Sequence, residues 1–334
     1  MDQKEILADL ETSLKEWTST SLGRRSFLKA MPLLLASCAS QNLNHRYNEG
    51  DNTGQQVSLS PSDEKRMAKQ VLPSMQKQYP PLRDHEMQGY VRSLGNRIVS
   101  ANGLHQNPYA YTFEVVETPQ VNAFALPGGP VFITTPLLAM CDTESELAGV
   151  IGHEIGHIKS RHTAERIYRE EQTKGKAIAY LLGGGVLGGV LGYGLGKLIC
   201  APRDRECISK TTQLGAVAGA GGATLISKFG FMAHSREDEL EADRIGFKTA
   251  VNAGFSKNHV GNFYEKLLEM ESSRGSKSGV ASSFADALST HPPSMQRVSQ
   301  VKKMAREASG FGRGVVSSSA FDRVRRKAVE ITTS

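Results

Sequence analysis

Residues 143–163 read TESELAGVIGHEIGHIKSRHT. Thr143 followed by Glu146 has the form of a capping box, so the stretch predicts a helix that opens there and runs through His157 towards Arg169. Leu147, Val150, Ile151, Ile155 and Ile158 give that helix a buried side. His153 and His157 stand one turn apart on it and face the same way, so both imidazoles can meet one divalent ion. Glu154 projects beside them, where a carboxylate can take a proton from a water activated by the ion. The H-E-x-x-H pattern is a moderate signal by itself, because two ordinary histidines on a helix produce it by chance.

A zinc ion needs a third protein ligand. A further histidine on the same stretch would call for glycine at position 160 and histidine at 163, where Ser160 and Thr163 stand. His162 falls off the ligand face and reads as a solvated or capping residue. Residues 235–243, SREDELEAD, offer several acids, and helix geometry sorts them. Glu239, Ala242, Asp243, Gly246 and Ala250 share one face, which apart from its two carboxylates carries only small residues. That face suits close packing on another helix, and Gly156 offers a matching gap. Glu237 and Glu241 point the other way and read as solvated. Glu239 is therefore the expected third ligand, and Asp243 the acceptor for the free N–H of a ligand histidine.

The remaining pattern frames this pair of helices. Pro61–Gln78 and His85–Ser100 show helical spacing, as do Arg236–Gly254, Ser256–Ser272 and Pro292–Ser309. YTFEVVE (residues 111–117) alternates like a strand, and Asn122–Leu126 and Val131–Thr134 read as strands around a Pro-Gly-Gly-Pro turn. The run Ala123, Phe124, Ala125 and Leu126 is a candidate for pairing with an extended peptide, or simply an interior hairpin strand. His291 precedes a Pro-led helix. Spacing favours a capping role for it over a share with Arg297 in holding an oxyanion.

The N-terminus reads as an address. RRSFLK (residues 24–29) followed by the apolar stretch Ala30–Ala36 has the layout of an export signal and is too short to span a membrane. It resembles a twin-arginine signal, and Leu35-Ala36-Ser37-Cys38 resembles a lipobox whose cysteine is lipidated. Residues 38–60 are polar and aperiodic, as in a flexible tether. Residues 177–231 are rich in Gly, Ala and Leu; a tightly packed or membrane-facing insert is preferred here over a true membrane span. Cys200 and Cys207 bracket a short polar loop and either form a disulfide or remain two thiols. Cys141 reads as a small buried hydrophobe.

Of the 334 residues, 39% are hydrophobic and 22% charged, which fits a globular chain with a sizeable core. The net charge of +6 is spread out. Its densest run, Arg323, Arg325, Arg326 and Lys327, lies in a basic C-terminal tail (residues 309–334) and reads as solvated. No nucleic-acid motif accompanies it, so nucleic acid is not an expected partner.

Taken together, NAFALPGGPVFIT (122–134), HEIGHIKSRHT (153–163), SREDELEADRIG (235–246) and STHPPSMQR (289–297) resemble the HtpX/BepA/Oma-type peptidase family, which includes the CAAX prenyl proteases. The resemblance spans residues 61–308. It implies an α+β, mostly helical gluzincin domain with a small β-sheet beside the active-site helix. It also implies one Zn2+ per chain on His153, His157 and Glu239, with Glu154 as base and functional roles for His291 and Arg297. In some relatives the histidine matching His291 closes the metal site. The chain departs from the family in lacking several clear membrane spans and a following helical-repeat domain, and in its long Gly-rich insert. This points away from prenylated substrates. The expected function is zinc-dependent endopeptidase action on unfolded or misassembled envelope proteins, at a membrane reached through a lipid anchor on the periplasmic face of the outer membrane. The alternative is a latched, non-hydrolytic assembly factor or chaperone.

Overall fold

A short mixed sheet carries apolar side chains into two helix-lined clusters. The computed structural model describes residues 49–106, 108–174, 234–272, 285–308 and 314–333. The export signal, Cys38 and the Gly-rich insert with Cys200 and Cys207 lie outside the described residues.

Helix α1 (Pro61–Gln78) opens on a Ser60–Asp63 capping box, and α2 (His85–Ala101) is capped by Asp84, whose carboxylate accepts from Met87 N–H. Strands β1 (Thr112–Val116), β2 (Ala123–Ala125) and β3 (Pro130–Thr134) form a sheet in the order β1-β3-β2. β1 runs parallel to β3, with Val115 opposite Ile133; β2 runs antiparallel to it, with Phe124 opposite Phe132. β2 is thus an edge strand. Met67, Val71 and Met75 of α1 cover Phe124 and Phe132, whereas Val115 and Ile133 join the larger core. After a short helix α3 (Thr135–Met140), which carries the buried Leu137 and Leu138, comes the central helix α4 (Glu144–Lys159). It is followed by α5 (His162–Lys174), α6 (Arg236–Asn252), α7 (Asn262–Ser272), α8 (Ala285–Thr290), α9 (Met295–Glu307) and α10 (Ser319–Thr333). The fold is α+β and mostly helical, as expected from the sequence. Among the described residues no helix is long and apolar enough to cross a membrane.

The pairing of α4 with α6 positions everything else. A Cβ added to Gly246 would meet the backbone N of His153 at 2.6 Å, and one added to Gly156 would meet Ala242 O at 2.9 Å. The helices therefore touch backbone to backbone, which only the small-residue face of α6 allows.

Three expectations are corrected. The helix from Thr143 does not continue to Arg169: it ends at Lys159, and Arg161 takes a left-handed φ of 56° that turns the chain into α5. Residues 49–59 are not a free tether. Asn52 Nδ2 donates to Lys159 O (2.9 Å) and Gln55 Nε2 to Ser160 O (2.8 Å), satisfying carbonyls that the end of α4 leaves without helical partners. Nor is the basic C-terminal stretch a solvated tail. Phe321, Val324 and Ala328 of α10 are fully buried, and Lys327 and Arg325 meet Asp84 (3.1 Å) and Asp142 (2.7 Å). The amphipathic spacing of Phe321, Val324 and Ala328 carries this helix into the core, with its cations facing acids at the starts of α2 and α4.

Candidate metal centre

The α4–α6 contact brings His153, His157 and Glu239 to one point, and the loop between α8 and α9 adds His291. Ligand atoms of these four buried residues all lie within 4.8 Å of one another. His153 Nε2 is 3.0 Å from His157 Nε2, 3.2 Å from His291 Nδ1 and 3.4 Å from Glu239 Oε2. Glu239 Oε1 is 3.3 Å from His157 Nε2 and 3.1 Å from His291 Nδ1. A tetrahedral ion with bonds of about 2.0–2.1 Å holds its donors about 3.3 Å apart. The donor set, imidazole nitrogens with a carboxylate, fits a divalent metal in both chemistry and spacing.

The surroundings orient these groups. Asp243 Oδ1 lies 2.9 Å from His153 Nδ1. Arg297 reaches Asp243 with two contacts of 2.7 Å and Glu239 Oε2 at 2.8 Å, and donates to the carbonyls of His291 and Pro292 at 3.3 Å. Its guanidinium is only 2% exposed and already engaged. It therefore sits behind the donors, holding Glu239, Asp243 and the His291 loop in place. Burial opposes charge on Glu239, but Arg297 together with His291, His153 and His157 outweighs it and holds that carboxyl well below the usual range; Asp243 is lowered against burial by Arg297 and His153. Burial likewise lowers His153, yet Asp243 and Glu239 reverse the effect and raise it to about 9, while burial keeps His157 well below the ordinary histidine value. Glu154 is pushed up by burial, and its Oε1 stands 3.5 Å from His291 Nε2.

Two residues read differently from their spacing. His162, expected in solvent, is fully buried, and its Nδ1 lies 2.8 Å from His157 Nδ1. The turn at Arg161 swings it back under the metal helix. Glu241, also expected in solvent, is buried where Ser160, His162 and Gly50 meet it; Gly50 N–H donates to its Oε1 at 2.9 Å. A third, His234, escaped the sequence reading. Its ring stacks on His157 at 3.9 Å, and no periodic pattern precedes it to mark it.

A cleft opens in front of the cluster, lined by Glu154, His157, His291, His234 and the strand residues Phe124 to Leu126. On β2, Leu126 N–H bonds Pro130 O and Asn122 O accepts from Thr134 N–H, so the even-numbered residues face β3. The backbone groups of Ala123 and Ala125 therefore point along the outer edge.

Known proteins share this arrangement of sequence. The chain is similar to the beta-barrel assembly-enhancing protease of Yersinia pestis, 30% identical over 251 residues (75% of this chain, 46% of that protein). It is similar to the Escherichia coli K12 protein of the same name, 26% identical over 249 residues (75% and 45%). It is also similar to the mitochondrial metalloendopeptidase OMA1 of Schizosaccharomyces pombe, 28% identical over 220 residues (66% and 53%). The chain spans about half the length of these curated relatives. The sequence profile of peptidase family M48 matches residues 85–305, a span containing every residue of the cluster, and the chain belongs to that family.

Proposed function

We propose that the protein is a zinc-dependent endopeptidase acting on unfolded or misassembled proteins of the cell envelope. The observation that carries this reading is the four-donor cluster with Glu154 beside it, set in a cleft under an edge strand. His153, His157 and Glu239 would hold the ion, which when bound polarises the scissile carbonyl and lowers the pKa of a neighbouring water. An extended substrate pairs with the outer edge of β2 at Ala123 and Ala125, with Phe124 and Leu126 lining the cleft. Glu154 takes the proton of the attacking water and passes it to the leaving amine.

His291 stands among the donors, so it must withdraw before water and substrate reach the ion. The loop between α8 and α9 (residues 291–294) is the element that would move, and from its withdrawn position His291 can donate to the oxyanion. Arg297, tied to that loop through two carbonyls, sets its resting place. The relatives' names, protease and metalloendopeptidase, favour hydrolysis over a non-hydrolytic assembly factor. The export-like N-terminus, with its lipobox-like Leu35-Ala36-Ser37-Cys38, supports an envelope location with a lipid anchor at Cys38. The test is degradation of an unfolded protein such as casein by wild type and by Glu154→Gln. Cleavage abolished by a chelator, restored by zinc and reduced about 10²–10⁴-fold in the variant supports the reading; equal cleavage by both proteins removes Glu154 from the mechanism.

A further inference from the structure

His153 has its outer nitrogen on a carboxylate, Asp243. His157 has none there; its outer nitrogen meets another histidine. We infer that His162 and Glu241 form a positioning relay for His157, anchored on the backbone of Gly50. The inference rests on the reading of His153, His157 and Glu239 as metal ligands.

The proton assignment follows from connectivity. His157 turns Nε2 towards Glu239 and His153, so as a ligand it carries its proton on Nδ1. That proton points at His162 Nδ1, 2.8 Å away, which must then be the acceptor. His162 consequently carries its own proton on Nε2, 3.3 Å from Glu241 Oε2. The other oxygen of Glu241 accepts from Gly50 N–H (2.9 Å) and Ser160 Oγ–H (3.1 Å). Every donor in the chain has an acceptor, and every proton position is fixed by the one before it. A carboxylate at the far end of such a chain raises the basicity of the ligand and locks its ring orientation.

The segment that supplies Gly50 is built for this place. Gly50 sits at a φ of 69° against the Lys159 side chain, where a Cβ would come within 2.9 Å of the lysine Cε. Glu49 ties the segment to Arg244 at 2.8 Å and to Lys248 on the exposed side of α6. The metal ligand His157 is thus held in part by chain that lies outside the helical layer and before the family match at residue 85.

The test measures metal affinity. Chelator-stripped wild type, His162→Phe and Glu241→Gln are titrated with zinc(II) against a competing chelator. Cobalt(II) spectra of the same proteins read the geometry of the bound ion. Glu237→Gln, on the exposed side of the same helix, is the control. The relay predicts about 10–100-fold weaker zinc binding in both variants and shifted cobalt bands, with far-UV circular dichroism unchanged and the control like wild type. Should His162→Phe fail to fold, Glu241→Gln decides alone, and Glu241→Asp, which keeps the charge, should recover part of the affinity. Wild-type affinity and an unaltered cobalt spectrum in Glu241→Gln overturn the relay while leaving the ligand assignment intact. Wild type that binds no ion overturns the ligand assignment, and the relay with it.

Discussion

Asp243 and Arg297 form a doubly bonded ion pair inside the protein, with both contacts at 2.7 Å and neither side chain more than 2% exposed. The pair links α6 to α9 and stands between the metal ligands and the rest of the core. Asp243→Asn removes both of these contacts and leaves the buried Arg297 guanidinium with Glu239 as its remaining carboxylate partner. It should lower the stability of the metal-free protein by up to about 3–5 kcal/mol, read by chemical denaturation. A loss within error of zero would show that the pair does not anchor α9.

The backbone contact between α4 and α6 makes a second prediction. Gly246→Ala places a methyl group 2.6 Å from His153 N, where no flexible side chain can yield. The helices must separate, at a cost of about 1–3 kcal/mol. Because His153 and Glu239 lie on opposite sides of that contact, zinc affinity should fall as well. Wild-type stability together with wild-type affinity would contradict the close contact.

The C-terminal helix offers a third. Phe321→Ala should destabilise the fold by about 3–5 kcal/mol, since Phe321 is fully buried against Tyr90 and the main core. A solvated tail would give no change in the denaturation midpoint.

Asp84 gives a pH-dependent prediction. The Met87 N–H and, beyond it, Lys327 hold its carboxyl below the ordinary aspartate value of 3.8. A lowered folded-state pKa means that the cap stabilises the protein above pH 3.8 and stops doing so as the pH falls through the lowered value. Asp84→Ala should therefore cost about 1 kcal/mol at neutral pH, with the difference from wild type fading below about pH 4. A difference that persists undiminished at pH 2 would show that charge is not the source of the cap's effect.

What the sequence made legible was local. The i, i+4 spacing of His153 and His157 and the Glu239–Asp243–Gly246 face follow from helical periodicity, and the small residues along that face announced the close approach to Gly156. The resemblance added His291, whose spacing alone favoured a cap. What stayed hidden depended on chain returning from a distance. Helical periodicity puts His162 off the ligand face; a left-handed φ at Arg161, with no glycine to signal it, puts it under His157 instead. Glu241 lies off the Glu239–Asp243 face of its own helix and is buried because Ser160, His162 and Gly50 converge on it from distant parts of the chain. Arg297 carried no local sign that its charge belongs to Asp243 and Glu239.

The account turns on whether the cluster binds one ion through residues from both helices. Calorimetric titration of zinc(II) into chelator-stripped wild type and Glu239→Gln measures this directly. One ion per chain in wild type, with affinity lost by two or more orders of magnitude in the variant, is the expected result. No stoichiometric uptake by wild type, or equal uptake by the two proteins, would contradict it.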